Sequence, residues 1–394
     1  MKRPGVSGAV VHGVLLVIAL GAAYFDWTRP KAASRKAGEV TVWSGAASDV
    51  SAVHLETTLA KVDLELKKEK DAKPYPWFRL ERTVTLPAPP PPKAEEKKDG
   101  KPANPDAPKD EKNDEAKPAP TPPPAPQTKV TVKEFLGADR TKDRLEKLAT
   151  LTAERDLGNV ASDTLAKLGL DKPRGSLVVK TSAGERKLEL GDTAVGDRLR
   201  YVREPGSGRV YAVDTNLFAD LEQADTRLQN TDLQPFNAES IEKVVVSVGG
   251  TSRTYVQKDR DKPGKTYWVA EIGESAAGGA PETGDKDERA TTWFGKLGRL
   301  KAERYLAADE NPLETIAVGA AQPAPVGPVE TKPVLRIEYE VAGYPPATLD
   351  LEKVTAGPDK VAFVARTSYT RSRVVVNRFT AEEIEKDLND LLGV

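Results

Sequence analysis

Two imidazoles, His12 and His54, and no cysteine are present in 394 residues. Thiolate nucleophiles, disulfides and cysteine-ligated metals are therefore excluded. Neither histidine lies in H-E-x-x-H or another metal-ligand spacing. A hydrolytic triad would have to recruit His54, which falls in an alternating strand pattern with no nucleophile-elbow motif beside it. His12 sits near the start of an apolar run, where snorkelling to an interface suits it better than proton relay. Ser240-Ile-Glu-Lys243 has S-x-x-K spacing, but it opens a strand whose Ile241 is a core position, so coincidence explains it better. Gly206-Ser-Gly208 reads as a hairpin turn, and no G-x-x-x-x-G-K-[ST] phosphate loop occurs. Carboxylates are plentiful but dispersed, and no glycosidase pair stands out. No catalytic, cofactor-binding or metal-binding residue is assigned, and a non-enzymatic protein is expected. Tyr201, Tyr211 and Tyr305 are the candidates for a small-molecule or glycan site between two modules, since ligand sites favour domain interfaces.

The elements that would position such groups are organised around a repeat. Lys147-Leu-Ala-Thr-Leu-Thr-Ala-Glu-Arg-Asp-Leu157 returns as Lys296-Leu-Gly-Arg-Leu-Lys-Ala-Glu-Arg-Tyr-Leu306, with seven of eleven positions identical. Leu148 and Leu151, like Leu297 and Leu300, have the i, i+3 spacing of an amphipathic helix. Neighbouring residues do not face each other on a helix. Glu154-Arg155 and Glu303-Arg304 are therefore not helical ion pairs, and each arginine is expected to anchor the helix end or the turn after it. Upstream, Val50, Val53, Leu55, Lys67 and Trp77 align with Ile241, Val244, Val246, Lys258 and Trp268 without a gap. The chain is thus expected to hold two copies of one module. The upstream pairs differ by 191 in number and the helical pairs by 149, so the first copy carries 42 extra residues. Both tryptophans are expected in the core.

The excess coincides with residues 87–128, which hold fourteen of the 31 prolines among interspersed Lys, Asp and Glu. Such a polyampholyte cannot bury a core and reads as a disordered insertion. The net charge of −1 gives no basic footprint for nucleic acid. Residues 8–25 carry no charge and have the minimum length for a membrane span, followed by Trp27 as an interfacial aromatic. An uncleaved anchor is preferred to a signal peptide ending near Gly21-Ala22-Ala23. Lys2 and Arg3 precede the span, but Arg29, Lys31, Arg35 and Lys36 follow it, so charge alone leaves its orientation open.

The expected fold class is α+β: an N-terminal transmembrane helix, then two duplicated modules, each an antiparallel sheet packed with helices. The expected boundaries are a 1–7 cytoplasmic N-terminus, an 8–25 anchor, a 40–228 first module and a 235–394 second module with a flexible insert at 273–287. Helices are expected over 141–156, 162–168, 215–228, 289–305 and 380–392. The last would start at a Thr380-Ala-Glu-Glu383 capping box.

The order of features resembles a bacterial envelope family described as domain of unknown function 4340. The span, the strand that carries Trp77 and the Leu-x-x-Leu segment are followed by Gly169-Leu-Asp-Lys-Pro173, Tyr201-Val-Arg203 and Val210-Tyr-Ala-Val213. This likeness covers roughly residues 45–310 apart from the proline tract, which departs from the family pattern. It implies an inner-membrane, single-pass protein with its N-terminus inside and its bulk periplasmic. It also implies a neighbouring gliding-motility-type ABC transporter permease and ATPase. The family carries no catalytic residues to transfer. The leading expectation is a non-catalytic accessory protein of such a transporter. The alternative is a binding protein for a small molecule or glycan, and an envelope hydrolase comes third.

Overall fold

The computed structural model describes residues 39–69, 73–86, 127–262, 264–271, 283–313, 328–357 and 359–393. The apolar run 8–25 and residues 87–126 of the proline tract lie outside them. Among the described residues no helix is long and apolar enough to cross a membrane.

The first half runs β1 (Val40–Trp43), β2 (Val50–Thr57), β3 (Ala60–Lys67), β4 (Tyr75–Leu86), β5 (Gln127–Leu136) and α1 (Thr141–Ala149). Next come β6 (Leu151–Ala153), β7 (Arg155–Gly158), α2 (Ser162–Lys167), β8 (Gly175–Thr181) and β9 (Gly184–Thr193). It ends with β10 (Leu199–Arg203), β11 (Val210–Asp214), α3 (Thr215–Glu222) and α4 (Ala224–Arg227). The second half runs β12 (Ile241–Val248), β13 (Thr251–Lys258), β14 (Tyr267–Glu271), β15 (Thr283–Lys286), α5 (Glu288–Leu297) and β16 (Ala302–Tyr305). Then follow β17 (Glu330–Val341), β18 (Ala347–Thr355), β19 (Val361–Thr367), β20 (Arg373–Val376), α6 (Arg378–Lys386) and α7 (Leu388–Leu392).

Eighteen of these strands form two nine-stranded antiparallel sheets, and β1 pairs with β6 in a separate two-stranded one. The orders of the large sheets are β5-β4-β3-β2-β8-β9-β10-β11-β7 and β15-β14-β13-β12-β17-β18-β19-β20-β16. Taken in chain order, the two are the same element for element. Strand alternation explains the faces. Val53 and Leu55 of β2, and Val244 and Val246 of β12, are buried beneath helices, while His54 and Glu56 turn outward. The helices are few and short, so the architecture is mostly antiparallel sheet.

The repeated motif corrects the expected helices 141–156 and 289–305. Each helix stops after its first Leu, at Ala149 or Leu297, and the Ala-Glu-Arg half becomes strand β6–β7 or β16. Leu151 and Leu300 stay buried because the chain turns beneath the sheet instead of continuing around a helix. The Trp43 indole donates to the Leu148 carbonyl at 2.8 Å, giving one of the orphan acceptors of the helix end a partner.

Other boundaries move. The expected run at 128–132 is a ten-residue strand paired along its whole length with β4, from Trp77–Leu136 to Leu86–Gln127. The proline insertion thus occupies a hairpin connection. Residues 272–282 occupy the same place between β14 and β15, and residues 283–286 of the expected flexible insert are strand β15. Helix α6 begins at Arg378, three residues before Ala381. Its cap is Asn377, whose carboxamide oxygen accepts from the Thr380 amide at 3.0 Å, in place of Thr380 itself. Gly249 and Gly250 both take positive φ, as a two-residue hairpin turn between β12 and β13 requires.

A single apolar cluster runs from Trp43 and Phe78 in the first half to Trp293 and Leu392 in the second. Trp268 is buried and stacked on Phe294 at 4.2 Å. Its counterpart Trp77 meets the core expectation in part, packing against the same cluster without being fully buried. It is half-buried under the Lys67 ammonium, and its indole donates to Glu134 at 3.4 Å.

Candidate functional site at the sheet junction

The residues singled out for chemistry are dispersed. His54 Nδ1 lies 2.5 Å from Asp63 Oδ1 on the outer face of the first sheet, where Lys180, Glu65 and Glu185 line a shallow hollow of about 320 Å³. A His–Asp pair can orient an imidazole for acid–base work. The hollow, however, is lined by no hydroxyl or thiol. Asp63 escaped the sequence reading because its contact with His54 depends on the register of the β2–β3 hairpin. Ser240 donates to the Asn237 carbonyl at 2.7 Å, while Lys243 pairs with Glu271 at 3.1 Å, so the S-x-x-K residues engage other partners. Ser207 donates to Glu204 inside the turn before β11. Among the described residues no group of three or more His, Asp or Glu is placed to hold a metal ion.

The three tyrosines are likewise separated. Val202 faces Tyr211 across β10–β11, which puts Tyr201 and Tyr211 on opposite faces of that ladder. Burial pushes the Tyr211 phenol up. Tyr305 sits on β16 of the other sheet, with its ring 6.2 Å from Phe135 of β5.

Tyr305 marks the place where the sheets meet. The connection between them, residues 229–232, is hydrogen-bonded into both edges. Gln229 bridges to Gly137, and the Asn230 amide donates to Leu136 at 2.8 Å. On the other side the Ala302 amide donates to Thr231 at 2.8 Å, and Asp232 bridges to Lys301. The end of β5 and the start of β16 are thereby stitched through the linker.

Side chains reinforce the stitch. Gln229 Nε2 donates to the Glu303 carbonyl at 3.2 Å. Lys301 pairs with Asp232 at 2.6 Å. Arg371, in the β19–β20 connection, reaches Glu69 just after β3 and lies 3.8 Å over the Tyr75 ring. Tyr75 donates to the same Glu69 at 3.0 Å. The Arg371 guanidinium, helped by that phenol, holds the Glu69 carboxyl below its ordinary value. Arg371 has a φ of 56°, a left-handed conformation that costs energy in a residue with a side chain. Burial pushes the Tyr305 and Tyr369 phenols up. The Tyr305 hydroxyl and Gln234 Oε1 are buried without a hydrogen-bond partner among the described residues.

Beside the seam runs a groove of about 580 Å³ to which both sheets contribute: Lys133 of β5 faces Arg304, Leu313, Val361, Val375 and Arg378. Three of its cations are already committed. Lys133 pairs with Asp225, Arg304 with Glu310 and Arg378 with Glu382. Arg304 therefore anchors the segment after its strand, through Glu310 and the Pro312 carbonyl. Arg155, its partner in the repeat, makes an exposed 3.6 Å pair with Asp197 instead.

Residues 138–318 match the family model described as Domain of unknown function (DUF4340). Over that stretch, just under half of the chain, the protein resembles this family. The match begins after the proline tract, so residues 45–137 of the expected likeness lie outside it. No curated protein and no solved structure matches the chain.

Proposed function

We propose that this is a non-catalytic, membrane-anchored extracytoplasmic accessory protein. Residues 8–25 hold it in the inner membrane with the N-terminus inside. The folded part works with the permease and ATPase of an ABC-type, gliding-motility-like transporter. The observation that carries this reading is the seam. A protein that closes over a ligand needs a hinge, a few connecting residues free to change φ and ψ. Here the connecting residues 229–232 are hydrogen-bonded to the ends of both sheets through isolated bridges, and Arg371 clamps a second point. Two like sheets joined at these points suit the presentation of a fixed surface to a partner. The uncharged run 8–25 and the resemblance over residues 138–318 point the same way.

The test is a mild-detergent pull-down of the full-length protein from its native membrane, beside a version lacking residues 1–31. Recovery of a permease and ATPase that depends on the span supports the proposal. Recovery of the protein alone sinks it as a stable complex.

One observation favours a second reading. The groove at the seam, about 580 Å³, has the size of a small-molecule site. A small-molecule or glycan-binding protein would show ligand-dependent thermal stabilisation. That stabilisation would be lost on filling the groove at Val361. A hydrolase would instead lose an activity in His54→Ala while its fold stayed intact.

A further inference from the structure

The register of the second sheet lines up one polar row on the face away from its helices. Arg336 of β17, Asp350 of β18, Arg366 of β19 and Arg373 of β20 are successive cross-strand partners. Arg336 is neutralised by Glu338 at 3.2 Å and Asp350 at 3.3 Å. Arg366 and Arg373 stand directly opposite each other. Neither has an ion pair or side-chain hydrogen bond among the described residues. Like charges placed directly opposite across an antiparallel pair destabilise it. The corresponding strands of the first sheet avoid this, for there Arg200 and Arg203 of β10 face Val213 and Val210 of β11 and pair with Glu222 and Glu189.

The two unpaired guanidiniums line a concavity of about 350 Å³. Its apolar wall is Val334 and Val364, and the Gly249-Gly250 turn stands at its rim. Val364 is locked in a small cluster with Leu306 and Val354. The Leu306 amide donates to the Arg373 carbonyl at 2.9 Å, so the strand that carries Arg373 is fixed in place. Two carboxylates also line the concavity: Asp350, the cross-strand neighbour of Arg366, is held by Arg336, and Glu352 faces Val364 rather than either arginine.

We propose that this concavity binds a phosphoryl group through Arg366 and Arg373. Guanidinium forks match the oxygens of phosphate in paired hydrogen bonds. A phosphate monoester carries nearly two negative charges and three acceptor oxygens, enough to engage both forks, whereas a carboxylate fills one. The group attached to the phosphoryl lies against Val364, with Glu352 placed to accept from its hydroxyls. This inference stands independently of the transporter reading.

Two sources of the phosphoryl group, a soluble phosphorylated molecule and a lipid headgroup, are separated by the choice of probe. Full-length protein in dodecyl maltoside micelles is titrated calorimetrically with sodium phosphate at constant ionic strength. In parallel it receives micelles doped with dioleoyl phosphatidate or with phosphatidylcholine. Saturable phosphate binding, weakened about tenfold or more in R366Q/R373Q, supports a soluble ligand. Phosphatidate binding with the same loss, and no response to phosphate, supports a headgroup. Binding of neither probe, or binding that the double variant retains, overturns the proposal. The variant's circular dichroism and melting temperature check that it is folded. If it melts early, R366Q alone, at an exposed position, makes the same comparison.

Discussion

Arg371 and Glu69, 302 residues apart, form a two-point ion pair, Nε to Oε1 at 2.8 Å and Nη2 to Oε2 at 3.3 Å. The pair ties the β19–β20 connection to the end of β3, and Tyr75 completes it from below. Its pH dependence has a definite sign. The folded state holds the Glu69 carboxyl below its ordinary value of 4.5. Stability from this group is therefore fully present above that value and is lost as pH falls through the folded one. In acid titrations below about pH 4.5, the wild type should lose stability more steeply than Glu69→Gln. Parallel acid melts of the two would exclude the assignment. Glu69 is largely solvated, so the difference should be small beside the core effects below.

The linker stitch makes a prediction about exchange. Asn230→Pro removes the amide that donates to Leu136 and leaves that buried carbonyl short of a partner. The expected cost is about 1–3 kcal/mol. Hydrogen exchange should rise together at Ala138, whose amide donates to the Leu228 carbonyl, and at Ala302, whose amide donates to Thr231, since both depend on the same connection. Exchange confined to residue 230 would argue that the sheets are held elsewhere.

Matched tryptophans should not behave alike. Trp268→Ala removes a buried ring stacked on Phe294 and should cost about 3–5 kcal/mol. Trp77→Ala removes a half-buried ring with a lysine 5.1 Å above it and should cost about 1 kcal/mol. Equal losses in urea unfolding would contradict the different environments.

Asp225 gathers the β4–β5 hairpin onto α4. Its side chain is 4% exposed and pairs with Arg82 at 2.9 Å and Lys133 at 2.7 Å. Asp225→Ala leaves two cations facing each other with no carboxylate. Both stay about one-third exposed, so the loss should be about 2 kcal/mol, below the range for fully buried pairs. Proteolysis within the hairpin should accelerate in the variant.

Alkaline stability should depend on Tyr255. It is fully buried, donates to the Leu391 carbonyl at 2.5 Å, and burial pushes its phenol up to about 12. A folded value above the ordinary 10 means its contribution is intact below pH 10 and is lost between 10 and about 12. Tyr255→Phe should cost about 1 kcal/mol at neutral pH, for one hydrogen bond. It should also flatten the alkaline decline that wild type keeps. Tyr305 and Tyr339 are pushed up as well, so the readout is the difference between the two proteins.

Local patterns carried most of the strand assignments, because side-chain alternation and turn glycines act over a few residues. The gapless alignment of Val50–Trp77 with Ile241–Trp268 already implied that the two halves would share an order of strands. The repeat itself misled. Leu at i and i+3 satisfies a helical face, but it equally satisfies a helix that ends after the first Leu and a strand that begins near the second. Only packing under the sheet, with Trp43 bonded to the Leu148 carbonyl, decides between them.

What the sequence determined by itself is the inventory: no thiol, two imidazoles, two like halves, one uncharged N-terminal run and one proline-rich excursion. What the tertiary structure decided is every relationship between distant residues. His54 with Asp63, Arg371 with Glu69, the linker between β5 and β16, and Arg366 opposite Arg373 all depend on strand register and on how chain ends return. A one-residue slip in register would move the side chains of His54 and Asp63, or of Arg366 and Arg373, to opposite faces. Periodicity specifies which face a residue takes within its own strand. It does not specify which residue of another strand it will meet.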